Sequence, residues 1–485
     1  MKRRSVLLLG TLGLAACSAE PPPHEPTYTN RLRIPPLADS RKSADGATEF
    51  ALELRADGRS SFLPGTVTTT WGINGAYLGP VIRATRGDRV RMIVTNRLPE
   101  VSTLHWHGMR LPARMDGGPH QTIATGATWQ PEWTIEQAAA TTWFHPHPHE
   151  RTAMHVYRGL AGLFLIDEPG GPDLPDRYGV DDIPLIIQDK RFSADGALVE
   201  GGVESGTFGF LGNRILINGT YDPFFEARTS LVRFRLLNAS NARVYRVGFT
   251  DGRPVRVIAG DLGLLERPVD VDRVKLSPGE RAEIVVAVRP GEQLLLDSRG
   301  EDSSTANDIE EEDFPLLKVV GAATLAASAA LLESLGGAPA TPPPAGARVR
   351  RFVLSGSEIN DRDMDLSRID EVVPAGAHEI WELDNTTYAH NFHIHEVPFR
   401  ILDVDGTPPP EYQRGPKDTV FVPKKATVRL SARFGTHTDA VTPYMYHCHI
   451  LRHEDKGMMG QFVVVAPGTE DRVSRSLPVA HTHHD

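Results

Sequence analysis

The chain has 485 residues, with 52 Lys and Arg against 62 Asp and Glu, a formal net charge of −10 when its 19 histidines are counted neutral. No broad cationic face exists to neutralise phosphates, which argues against nucleic acid as a partner. With 44 Gly, 38 Pro, 40% hydrophobic and 24% charged residues, the composition excludes a coiled coil or a disordered chain and points to a turn-rich, all-β protein.

The first 16 residues read as a signal for export: Lys2, Arg3 and Arg4 precede an apolar run, Val6 to Ala16, too short to span a bilayer. Leu14-Ala15-Ala16-Cys17 resembles a lipobox, in which Cys17 becomes the acylated first residue of the mature chain and its only membrane attachment. An ordinary cleaved secretory signal is the alternative, and the paired arginines loosely match a twin-arginine signal. The expected location is the periplasm or outer envelope. Residues 17–44, Pro-rich at their start, are expected to be a tether.

The remainder divides into about three domains at roughly 150 residues each. Alternating runs such as Arg89-Val90-Arg91-Met92-Ile93-Val94, Ala282 to Val288 and Thr427-Val428-Arg429-Leu430, bounded by Gly, Pro, Asp and Asn, predict sandwich strands. Gly/Pro-rich Glu168 to Pro172 and Ala/Pro-rich Gly336 to Gly346 mark linkers. The expected domains are residues 45–170, 171–335 and 350–470, with a linker at 336–349 and a His-containing tail at 471–485. The acidic stretch Glu301 to Asp313 reads as a solvated loop. Val319 to Leu335, Ala-rich and broken by Ser328 and Glu333, reads as a short helix or linker.

The histidines are concentrated at the two ends of this arrangement, and none lies between His155 and His378. Eight form four His-x-His pairs: His105/His107, His145/His147, His393/His395 and His447/His449. In a strand, residues i and i+2 face the same way, so each pair aims two imidazoles at one place. One such pair is weak evidence, since a surface strand or a hydrogen-bonded core histidine explains it. Four pairs split evenly between two ends are not explained so simply, although imidazole alone leaves copper, zinc, iron or nickel open.

Cys448 narrows the choice. It lies between His447 and His449, so on a strand its sulfur points to the opposite side, toward a second site. His453, Met458 and His390 are available from the same piece of chain. Two His, one Cys and a weak axial Met describe a blue-copper electron-transfer centre.

His105-Trp106-His107-Gly108, Trp143-Phe144-His145-Pro146-His147, His390-Asn391-Phe392-His393-Ile394-His395 and His447-Cys448-His449, followed by His453-Glu454-Asp455-Lys456-Gly457-Met458-Met459, resemble the four copper motifs of the multicopper oxidases. With Asp116-Gly117-Gly118-Pro119 and Gly159 to Leu163, the resemblance is to the bacterial three-domain laccase-like and cuprous-oxidase branch. It implies three consecutive cupredoxin-like Greek-key β-sandwich domains and four copper ions. By that resemblance His390, Cys448, His453 and Met458 hold the type 1 copper, and His105 and His393 the type 2 copper. His107, His145, His147, His395, His447 and His449 hold the type 3 pair. The histidine-free middle domain is then a spacer and wall.

The implied reaction couples one-electron oxidations of a small donor to reduction of dioxygen to water, with Asp116 and Glu454 at positions where related enzymes carry proton-relay carboxylates. The expected donors are phenols or aromatic amines. Oxidation of Cu(I) for copper tolerance is the alternative, weakened because the stretch from Ile359 to Glu379 is Met-poor. A non-catalytic cell-envelope assembly protein on the same fold is a further alternative, disfavoured by the complete ligand set. A two-copper nitrite reductase fits poorly for the same reason. His149, His120, His155, His378 and His437 are not expected to ligate, and the tail His481 to His484 is read as a disordered terminus.

Overall fold

The computed structural model describes residues 25–301 and 309–477. The signal, Cys17 and the His481 to His484 tail lie outside the described residues. Three two-sheet β-sandwiches follow one another along the chain, as the all-β expectation requires.

In the first, the sheet Ser40–Lys42, Thr48–Ser60, Arg89–Asn96 and Thr128–Trp129 faces the sheet Ile82–Thr85, Gly162–Asp167, Ala140–His145 and His105–His107. Arg89–Asn96 shows how sequence sets this packing. Its residues alternate, so Val90, Met92 and Val94 enter the core with Phe50, Trp106, Phe144 and Phe164 while the arginines remain outside. The middle sandwich has the largest sheet, Thr220–Tyr221, Arg214–Ile217, Asp182–Lys190, Leu231–Asn238, Arg281–Ala287, Val255–Gly260 and Gly263–Val271. Asp182–Lys190 is buried along its whole length, because the first sandwich covers one of its faces. The third pairs Val349–Ser355, His378–Asn385, Thr427–Arg433 and Phe399–Val404 in one sheet, against Glu371–Pro374, Met459–Val465, Asp439–Cys448, His390–Ile394 and Thr419–Val422. Trp381, Phe352, Phe392, Tyr446 and Phe462 fill its core.

Three expectations give way here. Residues 30–44 are no tether: Asn30–Arg31 runs parallel to Pro223–Thr229 in the middle sandwich, and Ser40–Lys42 pairs with Thr48–Ser60 in the first. Leu32 is buried in the middle core, so the segment ties two sandwiches together. Of Val319 to Leu335, residues 319–326 are neither helix nor linker but the end of the strand Phe314–Ala326, which pairs with both Pro223–Thr229 and Gln293–Ser298. Leu316, Leu317 and Val319 on this strand are buried in the middle core. The acidic stretch is not wholly solvated either, since Glu310 is buried against Lys275 Nζ at 2.5 Å.

Candidate metal centre

Strand register converts the His-x-His spacing into a cluster. His105–His107 runs antiparallel to Ala140–His145 with His105 opposite His145. In the third sandwich His390–Ile394 runs antiparallel to Asp439–Cys448 with His393 opposite His447. The two strand pairs meet across the junction of the first and third sandwiches, and eight imidazoles face each other, each 1% exposed or less. His105, His393 and His395 form one set whose ligand atoms lie within 4.8 Å; His107, His145 and His449 form a second, and His147, His395 and His447 a third. His395 Nε2 and His147 Nε2 each lie 3.2 Å from His447 Nε2.

The protein holds one nitrogen of most of these rings and turns the other inward. His105 Nδ1 donates to the Asp116 carbonyl at 3.0 Å, His145 Nδ1 to the Pro146 carbonyl at 2.9 Å and His393 Nδ1 to the Asp418 carbonyl at 2.8 Å. His395 Nδ1 donates to Asp116 Oδ2 at 2.7 Å. Glu454 places Oε1 3.3 Å from His147 Nδ1 and Oε2 3.1 Å from His447 Nδ1. His107 is reversed: its Nε2 reaches Asp418 Oδ1 and Thr419 Oγ1, each at 3.1 Å.

The inward nitrogens His105 Nε2, His107 Nδ1, His145 Nε2 and His393 Nε2, and both nitrogens of His449, are buried with no hydrogen-bond partner. Each such orphan costs about 1–3 kcal/mol unless something else engages it. Burial first, then the neighbouring imidazoles, push His105, His147, His393, His395 and His449 well below the ordinary histidine range, and His145 falls to about 4. The rings are therefore neutral donors, the form that binds a metal cation.

On the other side of Asp439–Cys448 lies a second, smaller set. Cys448 Sγ is 3.6 Å from His390 Nδ1 and 3.5 Å from His453 Nδ1, and those two nitrogens are 3.2 Å apart. His453 sits on the short helix Leu451–Asp455, which also carries Glu454, so one turn of chain serves both sets. Its Nε2 donates to the Thr207 carbonyl of the middle sandwich at 2.8 Å, fixing Nδ1 as the inward atom. Met458 is fully buried in the same core as Cys448, and its carbonyl accepts from the Cys448 N–H at 3.0 Å. Burial pushes the Cys448 thiol up to about 12, and only a nearby cation reverses that. Thiolate, two imidazoles and a thioether are a soft donor set that suits copper.

Every histidine and cysteine candidate read from the sequence thus lies in one of these two sets, with Met458 buried in the same core as the second. Asp116 is buried against His395, and burial, with the charge of Glu396, raises its carboxyl well above the usual range. The other histidines lie apart. His155 Nε2 is 2.7 Å from Glu100 Oε1, His120 Nε2 2.7 Å from Gln461 Oε1 and His378 Nε2 2.7 Å from Ser431 Oγ. His437 lies 3.6 Å from Glu136 and His149 3.6 Å from Glu150.

Sequence reading missed Asp418 and the Thr207 carbonyl, which hold His107 and His453, and Arg281, which holds Asp418. No spacing pattern marks them, because each comes from a different sandwich or strand end. The middle sandwich, read as a wall, supplies two of the three.

Comparison with known proteins agrees with this geometry. Residues 56–171 and 339–468 each match the multicopper oxidase family. The chain is 37% identical to the cell division protein FtsP of Escherichia coli strain K12, covering 89% of this chain and 92% of that protein. It is 33% identical to the multicopper oxidase mco of Staphylococcus aureus, over 90% and 92% of the two chains. Among solved structures, a laccase-like multicopper oxidase, CueO, of Ochrobactrum sp. superimposes with a TM-score of 0.82 at 38% identity, covering 90% of this chain and 100% of that one. On its matched motifs, its fold and its alignment along most of its length, the chain belongs to the multicopper oxidase family.

Proposed function

We propose that this chain is a four-copper oxidase that couples one-electron oxidation of phenolic or aromatic-amine donors to reduction of dioxygen to water. In this reading His390, Cys448, His453 and Met458 hold the type 1 copper, His105 and His393 the type 2 copper, and His107, His145, His147, His395, His447 and His449 the type 3 pair. Copper in these positions supplies one-electron acceptance at the cysteine site and oxygen reduction at the histidine cluster.

The observation that carries the proposal is the back-to-back placement of the two sets. Cys448 faces one set and its chain neighbours His447 and His449 face the other, so a short covalent path joins them. The surrounding residues perform the remaining tasks. Burial of all eight imidazoles excludes bulk water from the cluster. Asp116 at His395, its carboxyl raised by burial, and Glu454 set between His147 and His447 are the acids positioned beside it for the proton delivery that oxygen reduction requires.

An aromatic donor is supported by what surrounds the outer set. The half-buried Tyr388 ring lies 5.1 Å from His390 and 5.3 Å from His453, with Phe208 edge-on to it at 5.3 Å. Such rings offer a planar donor stacking partners. The segment between Ile359 and Glu379 carries one methionine, Met364, and so lacks the Met-rich run that favours Cu(I) as donor.

A second reading, a non-catalytic cell-envelope assembly protein, is raised by the relatives named cell division protein FtsP. Oxygen uptake by the copper-loaded chain, with a simple phenol and with Cu(I) as alternative donors, separates the readings. Uptake with phenol supports the proposal, uptake driven mainly by Cu(I) moves the role to copper tolerance, and no uptake with either favours the non-catalytic reading. Export and a lipid anchor at Cys17 complete the proposal, and mass spectrometry of the mature N-terminus tests them.

A further inference from the structure

Among the eight imidazoles of the cluster, His107 is held by Nε2 where His105, His145, His393 and His395 are held by Nδ1, and the reason lies in the middle sandwich. Arg281, at the start of Arg281–Ala287, has a side chain 0% exposed, and Asp418, just before Thr419–Val422, one 2% exposed. The guanidinium grips the carboxylate with both arms, Nη1 to Oδ1 at 2.7 Å and Nη2 to Oδ2 at 2.6 Å. Its other donors are also used: Nε to the Thr141 carbonyl at 3.0 Å, Nη1 to the Gly279 carbonyl at 3.0 Å and Nη2 to the Asp261 carbonyl at 2.9 Å. All five N–H groups of one arginine are therefore spent, and they link the first, middle and third sandwiches at one point.

The carboxylate so fixed accepts from His107 Nε2 and from Thr419 Oγ1, the latter at 2.8 Å, while the backbone carbonyl of Asp418 accepts from His393 Nδ1. With both oxygens of Asp418 already occupied, it serves the cluster by holding rings and not as a ligand. Packing leaves this pair no slack. Gly108 has φ +88, and a Cβ there would stand 2.7 Å from Asp418 Oδ2 and 2.9 Å from Arg281 Nη2.

We infer that Arg281 and Asp418 are positioning residues for the cluster: by locking Asp418, Arg281 makes it accept from His107 Nε2 and so sets Nδ1 as the atom His107 offers to a metal. A neutral imidazole has one donor and one acceptor nitrogen, so an acceptor fixed at Nε2 decides the tautomer. The inference rests on the copper reading for its metal and on the structure alone for the tautomer.

The test uses the full copper-loaded chain with Asp418→Asn and Arg281→Lys. An amide facing the Arg281 fork must turn its NH2 toward either the guanidinium or His107, and a lysine cannot reproduce a five-donor grip. The expected result is copper retention at the histidine cluster weakened about 10- to 100-fold, with loss of the type 2 and type 3 spectroscopic signatures. The blue chromophore at Cys448, which none of these atoms touch, persists and reports a folded third sandwich. Variants that keep wild-type copper content and cluster spectra overturn the inference. A second measurement stands if a variant fails to fold or if the wild type takes up no copper. Histidine nitrogen NMR of the metal-free wild type should show His107 protonated at Nε2, and protonation at Nδ1 overturns the inference. A wild type without copper but with the Nε2 tautomer refutes the copper reading and leaves the positioning role intact.

Discussion

Asp116→Asn separates proton supply from metal binding. In the wild type, Asp116 Oδ2 takes the His395 Nδ1 hydrogen bond at 2.7 Å, and the backbone carbonyl takes that of His105. An asparagine keeps the carbonyl contact and, with its side-chain oxygen toward His395, keeps that ring in place. It removes a carboxyl whose Oδ1 is buried without a partner and whose proton is held well above the usual carboxylate range by burial and then by the charge of Glu396. A positioned acid contributes roughly 10²–10⁴-fold to a proton-coupled step, or about 2.7–5.4 kcal/mol at 1.36 kcal/mol per tenfold. The set around Cys448 uses none of these atoms. In rapid mixing, the blue chromophore should therefore bleach with a phenol at the wild-type rate and recover under oxygen about 10²-fold more slowly or worse, with copper content unchanged. Recovery at the wild-type rate would refute the relay, and loss of copper would show that the carboxylate is needed to hold His395.

Further outcomes are expected from the same structure. Cys448→Ser should abolish the blue colour and donor oxidation together, because the sulfur stands 3.5–3.6 Å from both imidazoles of its set; a serine variant that stays blue sinks the assignment. Stripping copper should lower the melting temperature, since the inward nitrogens lose their partner; a ligand at 1,000 times its Kd stabilises by about 4 kcal/mol, and coincident melts of loaded and stripped protein would count against a resident metal. Lys190, buried with Nζ donating to the Tyr157 carbonyl at 2.7 Å, is brought down to about 7 by desolvation. The unfolded chain then binds the extra proton between pH 7 and about 10.5, so stability rises with pH across that window, by up to about 1.4 kcal/mol per pH unit. Denaturant melts should show this slope in the wild type and lose it in Lys190→Met, and an equal slope in both places the charge elsewhere.

The candidate ligand set was legible because metal chemistry restricts such groups to few residue types at a spacing the strand imposes. His105 with His107, or His447 with Cys448 and His449, can be read off a period of two without knowing the fold. The alternating run Arg89 to Val94 announced a half-buried strand for the same reason. Asn30–Arg31 and residues 319–326 were misread because both owe their form to a strand distant in sequence, Pro223–Thr229, and carry no local signal of it.

What the sequence determined by itself was the chemistry: eight imidazoles in pairs, a cysteine facing away from its neighbours, and the sandwich class that displays them. The tertiary structure decided how those groups are held. Asp418 comes to His107 from 311 positions away, Thr207 to His453 from 246 away, and Arg281 to Asp418 from 137 away. A side chain's partner at such separations depends on how three sandwiches close on one another, and no periodicity within a strand carries that information. A buried ring must have a hydrogen-bond partner to fix its tautomer, but many backbone carbonyls or carboxylates can fill the role. The sequence therefore names the candidate ligands, and packing chooses the groups that orient them.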